Sequence, residues 1–537
     1  MPDSSDLKIS LIRNSSCTVH ALPPELLWKI FMINTEVQVE NDHQWFGVDG
    51  DDDLEDQRLD TARNCSQVCQ LWRTLLLRLP SVWGRLLHIG SFERTADAWR
   101  EAVVSRTGNA SLWIIGTISD STRPFIFFIL RQKWQNVQYL VVKDEDMYGR
   151  EILPTWSFLE REAPKLEVLN LLVNKYDEGR DTRYILPFSP LFNNSAPRLK
   201  EFRTLQPFRL IVPSPWMFNL HTVTLRRQEN TSLILSALKS MPLLRTLIIS
   251  GNPWRRAVHA EDSDLDKPLL PMLETLWIRD CDPIQHMLLL ESITLPPGQR
   301  ILRTLQIPAA IPPPRPRFQE RTSRAVVKWV HDYVEAFPPH YFALGDFGLL
   351  LFLTDSQSSE KGFRLDLLFD GQSHHTIKNI ADSSHFSDVE RLRIFLDAST
   401  RWPLLPLYKA LRSITYLISC GPGLGTLFQD MLQFSLFPDL HTIDLSGPDQ
   451  DITIDDRRGD ESVIPRIIDF LEHRESIESP ISVLDLSSLR ADGVSDINKE
   501  RLGKISGLSV KFPQGVLVEL NLGLSLLVGA FFLASRA

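Results

Sequence analysis

The chain has 537 residues, of which 43% are apolar, so it is long enough to bury a large core in several domains or in one domain with a repeat array. Its 58 basic and 67 acidic residues give a net charge of −9, and no stripe concentrates lysine and arginine, which excludes the electrostatic footprint of a nucleic-acid-binding protein. Five scattered cysteines make no disulfide framework, and no apolar segment follows a basic start. We therefore expect a reducing compartment, cytoplasmic, nuclear or both.

Residues 1–20 are expected to form a flexible N-terminus, and the first predicted helix follows them. Pro23 and Pro24 preset the backbone of a first helical turn, where a missing amide donor costs little. Apolar residues then recur at helical spacing and predict one apolar face of an amphipathic helix: Leu26, Leu27, Ile30 and Phe31.

A second amphipathic helix is predicted to end at Pro80, before the large apolar residue Trp83. Its apolar positions have offsets of three, four, seven and eleven residues and are Cys65, Val68, Cys69, Trp72 and Leu76. Without a second cysteine pair or nearby histidines, Cys65 and Cys69 indicate core positions rather than metal ligands.

These helices resemble an F-box, in which an opening Leu-Pro, a first helix, a V-C-x-x-W core and a closing tryptophan follow in this order. The resemblance implies a non-catalytic subunit that binds the Skp-type adaptor of a cullin-RING ubiquitin ligase. The adaptor-binding residues it implies are Leu22, Pro23, Leu26, Leu27, Ile30, Phe31, Val68, Cys69, Trp72, Leu76 and Trp83. The alternative is a helical hairpin whose apolar stripe is ordinary core.

The two predicted helices are separated by an acidic insertion that is long for an F-box. Between Asn34 and Thr61 the sequence has ten acidic residues and one basic residue, a charge of −9 that equals the charge of the whole chain. This composition predicts a solvated, disordered insertion. A calcium loop is the alternative, but Gly50 lies inside the aspartate triplet and Asp60 stands where a glutamate is expected.

From Val137 onward one short sequence pattern recurs, in which apolar residues alternate as they do on a short buried strand. We call this pattern the apolar phrase. Successive starts up to Leu302 lie 21 to 33 residues apart, which is roughly the period of leucine-rich repeats. The copies are Val137, Leu140, Val142; Leu166, Leu169, Leu171; Leu199, Phe202, Leu205; Leu220, Val223, Leu225; Leu244, Leu247, Ile249; Leu273, Leu276, Ile278; Leu302, Leu305, Ile307; Leu392, Phe395; Ile414, Leu417; Leu440, Ile443, Leu445; and Val483, Leu484, Leu486.

The phrases resemble the degenerate leucine-rich repeats found behind F-boxes in fungal proteins. The predicted fold is therefore α/β, a small helical F-box followed by a leucine-rich-repeat-like α/β solenoid, in which each repeat needs its neighbours to bury its apolar face. An ordinary α/β domain with unrelated buried strands is the alternative. Strand alternation predicts that variable positions face outwards: Glu167, Arg245, Glu274, Arg303 and His441.

Proline-rich sequence interrupts the phrases after Ile307. The run from Pro312 to Pro316 predicts a stiff spacer, with a ligand for an SH3-like domain as the alternative. An amphipathic helix is predicted after a cap at Thr322 or Ser323, and hairpin strands around Phe363 to Phe369.

The last predicted segment, Val516 to Ala534, is nearly apolar over nineteen residues. Glu519 and Asn521 argue against membrane insertion, because a carboxylate near a helix centre costs about 2.5 to 3.5 kcal/mol. A packed terminal element is favoured over a membrane anchor. The predicted divisions are 1–20, the helical domain 21–90 with its insertion 35–61, repeats 91–307, spacer and insertion 308–388, further repeats 389–515 and the apolar segment 516–537.

No catalytic motif, cofactor fingerprint or metal-ligand pattern stands out, so we expect no catalytic residue, cofactor or metal. The sequence predicts a substrate-recognition subunit of an SCF-type ubiquitin ligase, whose repeats bind an unknown client protein. The alternative is a leucine-rich-repeat scaffold without a ligase role, with or without a membrane anchor at its C-terminus.

Overall fold

The computed structural model describes residues 22–35, 58–93, 95–144, 156–173, 190–204, 208, 210–226, 230–250, 265–279, 283–295, 304–307, 316–345, 348–352, 362–365, 373–382, 384–395, 404–420, 424–445, 463–487, 494–512 and 517–518. The chain divides into two compact units. Unit 1 comprises Met1–Ser250 and Ser263–Met272, and unit 2 comprises Gly251–Asp262 and Leu273–Ala537.

The described part of unit 1 begins with four helices: α1 (Pro24–Ile33), α2 (Arg58–Val68), α3 (Gln70–Leu77) and α4 (Pro80–Arg85). Pro24 occupies the first turn of α1, as the sequence predicts. The prediction of one continuous helix through Cys69 is wrong. Cys69 has an extended backbone (φ −158°, ψ 168°), and its Sγ accepts a hydrogen bond from the Trp72 amide at 3.4 Å, so it ends α2 and caps α3.

The acidic insertion, including the calcium-loop alternative, lies largely outside the described residues. Its predicted end at residue 61 falls inside α2, which begins at Arg58. Pro80 does not simply stop the preceding helix, because α3 ends at Leu77 and Pro80 begins α4.

The helices continue directly into the sheet of unit 1. Strand β1 (Leu87–His88) follows α4 and pairs in parallel with β2 (Leu112–Ile118). Gly84 lies so near this strand that a Cβ there would be 2.4 Å from the Ser111 carbonyl oxygen, which only glycine avoids. Trp83 is buried and donates its indole N–H to the Leu76 carbonyl at 2.8 Å. These contacts fix α3 and α4 against the first strands.

The sheet of unit 1 has seven described strands, all parallel and in chain order. After β1 and β2 come β3 (Val137–Asp144), β4 (Val168–Val173), β5 (Glu201–Thr204), β6 (Thr222–Arg226) and β7 (Thr246–Ser250). The unit also contains α5 (Asp97–Arg106), α6 (Arg123–Lys133) and α7 (Thr231–Lys239).

The recurring apolar phrase corresponds to the rows of this sheet. Leu140, Leu169, Phe202, Val223 and Leu247 are register partners on successive strands, and each has no exposed side-chain surface. Each strand therefore completes the core of its neighbour, as alternation on a parallel sheet requires.

Unit 2 has a second sheet, mostly parallel. Its described strands are β8 (Thr275–Arg279), β9 (Thr304–Ile307), β10 (Tyr341–Gly345), β11 (Gly348–Phe352), β12 (Gly362–Leu365), β13 (Arg391–Phe395), β14 (Tyr416–Cys420), β15 (Thr442–Asp444), β16 (Val483–Asp485), β17 (Ser509–Lys511) and β18 (Leu517–Val518). Their order in space is β8, β9, β12, β11, β10 and then β13 to β18. Antiparallel pairing is confined, among the described strands, to the β10–β11–β12 meander and to β18 on β17.

The helices described in unit 2 are α8 (Pro283–Ser292), α9 (Pro316–Ala336), α10 (Ser373–Ala381), α11 (Leu405–Ala410), α12 (Leu424–Phe434), α13 (Val463–Ser476) and α14 (Asp496–Leu502). The predicted helix near Val326 is α9, but it begins at Pro316 rather than after Thr322 or Ser323. The proline run before Pro316 lies outside the described residues.

The range 308–388, predicted as a Pro-rich spacer and insertion between the repeats, contains part of the sheet. The meander lies within this range, and it pairs with β9 on one side and β13 on the other, so the sheet continues through it. Of the predicted hairpin strands, β12 begins at Gly362, and residues 366–369 lie outside the described part.

The predicted α/β class is confirmed, with largely parallel strands, and the solenoid and the F-box stay predictions. Seven of the described strands fall outside the predicted phrases, namely β1, β2, β10, β11, β12, β17 and β18, and of these β12 lies in the predicted hairpin region. Beyond β18, the apolar C-terminal segment lies outside the described residues. Within the described residues, none of the helices has the length and apolar character needed to cross a bilayer.

Candidate protein-interaction surface

Helix α1 has two apolar faces with different surroundings. Leu27 and Phe31 are buried, with 0% and 3% of their surface exposed. Leu26, Ile30 and Ile33 are 44%, 46% and 63% exposed and, at positions i, i+4 and i+7, follow one side of the helix. The predicted apolar face is therefore only half buried: Leu27 and Phe31 belong to the core, and the stripe of Leu26, Ile30 and Ile33 beside them faces outwards.

The buried face of α1 is held by α2 and α3. The Phe31 ring meets the Trp72 ring edge-on, with 5.3 Å between their centroids, and Leu76 of α3 is fully buried. At the C-terminus of α1, Asn34 donates to the Arg58 carbonyl at 3.1 Å, and Arg58 donates to the Thr35 carbonyl at 3.5 Å. Because these contacts fix α1, the outward stripe is a defined surface.

The junction of α2 and α3 adds further exposed apolar side chains. Val68, the last residue of α2, is 61% exposed, and Leu71 in the first turn of α3 is 39% exposed. Trp28 and Leu77 are also more than one-third exposed. We call the set on α1 to α3 the exposed apolar surface; it comprises Leu26, Trp28, Ile30, Ile33, Val68, Leu71 and Leu77.

The predicted adaptor-binding residues divide between this surface and the core. Leu26, Ile30 and Val68 are exposed, as is Pro23 beside the start of α1, while Leu22, Cys69 and Trp72 are half-buried. The expectation of direct contact is corrected for the remaining four, because they are buried among the helices: Leu27, Phe31, Leu76 and Trp83. These four hold the surface in place.

Sequence reasoning missed four residues of the exposed apolar surface. Ile33 had a signal, since it continues the i, i+4, i+7 series from Leu26. Leu71 and Leu77 lie after the break at Cys69. The predicted continuous helix had no such break, so it gave no reason to expect these two residues at the surface. Trp28 lies on the other flank of α1, where the apolar pattern gives no warning.

The surface is suited to binding rather than to bond chemistry. Its members are aliphatic or aromatic, and burial raises the pKa of the nearby Cys65 thiol above its usual value, which favours the unreactive protonated form. Within the ranges that the structure describes, no three His, Cys, Asp or Glu side chains gather closely enough to hold a metal ion.

The predicted outward positions are at the surface wherever they are described. Arg245 and His441 are exposed, and Glu167 and Glu274 are partly exposed. Arg303 lies outside the described residues. Each of the four immediately precedes a strand of its sheet.

A comparison with protein-family models finds no family that matches this chain, and a comparison with curated proteins finds no match.

Proposed function

We propose that this protein is the substrate-recognition subunit of an SCF-type ubiquitin ligase. The exposed apolar surface on α1 to α3 would bind the Skp-type adaptor, and the sheet units would hold the client. One observation carries the proposal: Leu26, Ile30 and Val68 stay exposed while Leu27 and Phe31, beside them in sequence, are buried.

The concentration of exposed apolar side chains supports this interpretation. Fifteen large apolar residues are exposed in the described part of the chain, and seven of them belong to the exposed apolar surface. Helices α1, α2 and α3 contribute 10, 11 and 8 residues, a small share of the chain. Three short helices thus hold nearly half of the large apolar side chains that are exposed in the described part of the chain, and such a concentration marks a place that a partner covers.

The proposed mechanism is proximity. The chain would carry no catalytic group for ubiquitin transfer and would hold a client lysine near a charged conjugating enzyme that the cullin-RING assembly brings. Holding two reactants together raises their effective concentration, which accelerates transfer without new chemistry. The rigid connection from α3 through Trp83 and β1 to the sheet supports such a role, because it limits movement between the adaptor contact and unit 1.

The test is co-purification of the full chain with a Skp-type adaptor. Leu26→Asp combined with Val68→Asp places two carboxylates on the surface, where burial of each apolar side chain is worth roughly 1.5 to 3 kcal/mol. We expect the adaptor to be lost from the purified complex. Phe128→Asp is the matched control, because Phe128 on α6 is 50% exposed and lies outside the surface.

Two results would contradict the proposal. If the wild-type chain, folded by circular dichroism, does not retain the adaptor, the scaffold without a ligase role becomes the leading hypothesis. If the double variant retains the adaptor as well as the Phe128→Asp control does, the adaptor contact lies elsewhere.

A further inference from the structure

The strands of unit 1 begin at an edge with a regular backbone ladder. The amide of Glu167 donates to the Gln138 carbonyl at 2.8 Å, Lys200 to Glu167 at 2.8 Å, His221 to Lys200 at 2.7 Å and Arg245 to His221 at 2.7 Å. The five residues of this ladder are Gln138, Glu167, Lys200, His221 and Arg245. The residues that lie two positions before each of them are Asn136, Lys165, Arg198, Asn219 and Leu243. We call these ten residues the unit 1 strand-entry edge. Neighbouring strands lie about 4.8 Å apart, so these side chains form two regular columns.

A cavity of about 410 Å³ lies along this edge. Its lining comes from the entries to four successive strands and consists of Glu167, Pro197, Arg198, Lys200, Asn219, His221 and Leu243. We call this cavity the basic groove.

The charges of the basic groove favour an anionic ligand. The groove's one carboxylate, Glu167, already accepts hydrogen bonds from Gln138 at 2.8 Å and from Lys200 at 3.3 Å. Lys200 remains 53% exposed, and Arg198 is exposed without a hydrogen-bond or ion-pair partner in the described part of the chain. Burial lowers the pKa of His221 below its usual value, and the neighbouring charges of Arg245 and Lys200 lower it further.

We propose that the basic groove binds an extended acidic segment of a partner protein. Cations lie at three of the four strand entries from β4 to β7, namely Lys165, Arg198 with Lys200, and Arg245, so a linear ligand that crosses these entries meets several of them. Arginine and lysine bind carboxylate or phosphate oxygens by charge-assisted hydrogen bonds. Leu243, 40% exposed in the same lining, gives an apolar residue of the segment a contact.

This inference supplies the client class for the receptor proposed above, and only in that respect does it rest on the proposed function. Its test uses the purified full chain without any adaptor, so a failure of adaptor binding and a failure of the groove are separate results. The probe is a fluorescent twelve-residue peptide of alternating acidic residues and leucine, measured by anisotropy. Asn/Gln and phosphoserine versions establish whether charge is required and which anion is preferred.

We expect the Asp/Glu peptide, the phosphoserine peptide or both to bind better than the Asn/Gln peptide. Arg198→Gln with Lys200→Gln should weaken binding at least about tenfold, since two charge-assisted contacts are lost. Arg131→Gln is the matched control, because Arg131 is exposed in the last turn of α6, outside the groove. Both side chains of the double variant are exposed, so circular dichroism should be unchanged.

The inference is overturned if the charged peptides bind no better than the Asn/Gln peptide. It is equally overturned if the double variant keeps the wild-type affinity. A single-stranded oligonucleotide that binds more tightly than both charged peptides, with the same sensitivity to the double variant, would replace the protein segment with a nucleic-acid ligand.

Discussion

The residues that lie at the starts of the strands form the same kind of backbone hydrogen-bond ladder in units 1 and 2, but their side chains carry net charges of opposite sign. In unit 2 the amide of Glu390 donates to the His340 carbonyl, Thr415 to Glu390, His441 to Thr415, Ser482 to His441 and Ser509 to Ser482, at 2.8 to 3.2 Å. This is the same ladder that links Gln138 to Arg245 in unit 1.

The side chains on the two ladders differ. The unit 1 strand-entry edge has four cations, Lys165, Arg198, Lys200 and Arg245, and one acid, Glu167. In unit 2, the ladder residues and the residues two positions before each of them include no lysine or arginine. They include three acids, Asp388, Glu390 and Asp439. We call these positions the unit 2 strand-entry edge. The apolar phrase specifies the backbone, so the variable positions are free to give each unit its own ligand preference.

The largest effect we expect is on stability, and it concerns the side chains that donate hydrogen bonds to the backbone carbonyls of the turns before the strands. In unit 2, buried Arg474 donates to the carbonyls of Ser479, Phe437, Pro438 and Leu440 at 2.7 to 3.2 Å. In unit 1, the carbonyl of Pro197, which like Pro438 opens a strand-entry turn, accepts from Asn219 at 2.8 Å. Unit 2 thus depends on one buried guanidinium where unit 1 uses an exposed hydrogen bond from the side-chain amide of the next strand entry.

Arg474→Met keeps the apolar stem and leaves buried carbonyls without a donor, so we expect a loss of roughly 3 kcal/mol in the free energy of unfolding. Asn219→Ala should cost only about 1 kcal/mol. Urea unfolding monitored by circular dichroism measures both. Equal midpoints for the two variants would show that the two turns are supported equally and that the units do not differ in this respect.

A smaller effect tests whether charge alone separates the edges. On the Arg198→Gln and Lys200→Gln background, Asp439→Arg with His441→Lys puts cations at the equivalent positions before β15. We expect the affinity for the acidic peptide to recover by about threefold to tenfold, because the shared ladder presents the new cations as unit 1 presents its own.

The control for this graft gives the same change in net charge elsewhere. Asp496→Lys with Glu500→Gln also adds three positive charges, on the exposed side of α14. If this control restores binding as well as the graft, the peptide responds to net charge, and the strand-entry position has no special role.

The sequence predicted most strands because the core needs an apolar row at each of them. Leu392, Leu417, Ile443, Leu484 and Val510 form such a row in unit 2. Strand β1 was missed because two residues cannot show alternation, and β2 because its run of Leu112 to Ile118 is nearly continuous. The meander had a signal, since two apolar runs flank Asp346-Phe347 between glycines, as in a hairpin.

The candidate surface was less predictable than the strands. Leu26 and Leu27 are the same residue type, and which one is buried depends on Trp72 and on contacts with Arg58, far along the chain. The basic groove was hidden for a similar reason. Glu167, Lys200 and His221 lie 21 to 33 residues apart, and only strand pairing brings them together.

The smallest effect we expect is a pH dependence confined to unit 1. His221 stands between Lys200 and Arg245 on the ladder, with Arg198 and Glu167 in the same lining, and its pKa is below the usual 6.5 because of burial and then the two cations. A bound acidic segment offsets that repulsion, so it stabilises the imidazolium and raises this pKa. By linkage, the protonated form binds the segment more tightly.

The affinity for the acidic peptide should therefore rise about threefold to fivefold between pH 7.5 and pH 5.5, where the carboxylates of the peptide, with pKa values near 4, remain ionised. His221→Gln should remove most of this rise. His441→Gln, at the equivalent position of the unit 2 strand-entry edge, should leave it intact. A rise that survives His221→Gln, or one that disappears in His441→Gln, would assign the titrating group to another part of the molecule and would separate the acidic ligand from the basic groove.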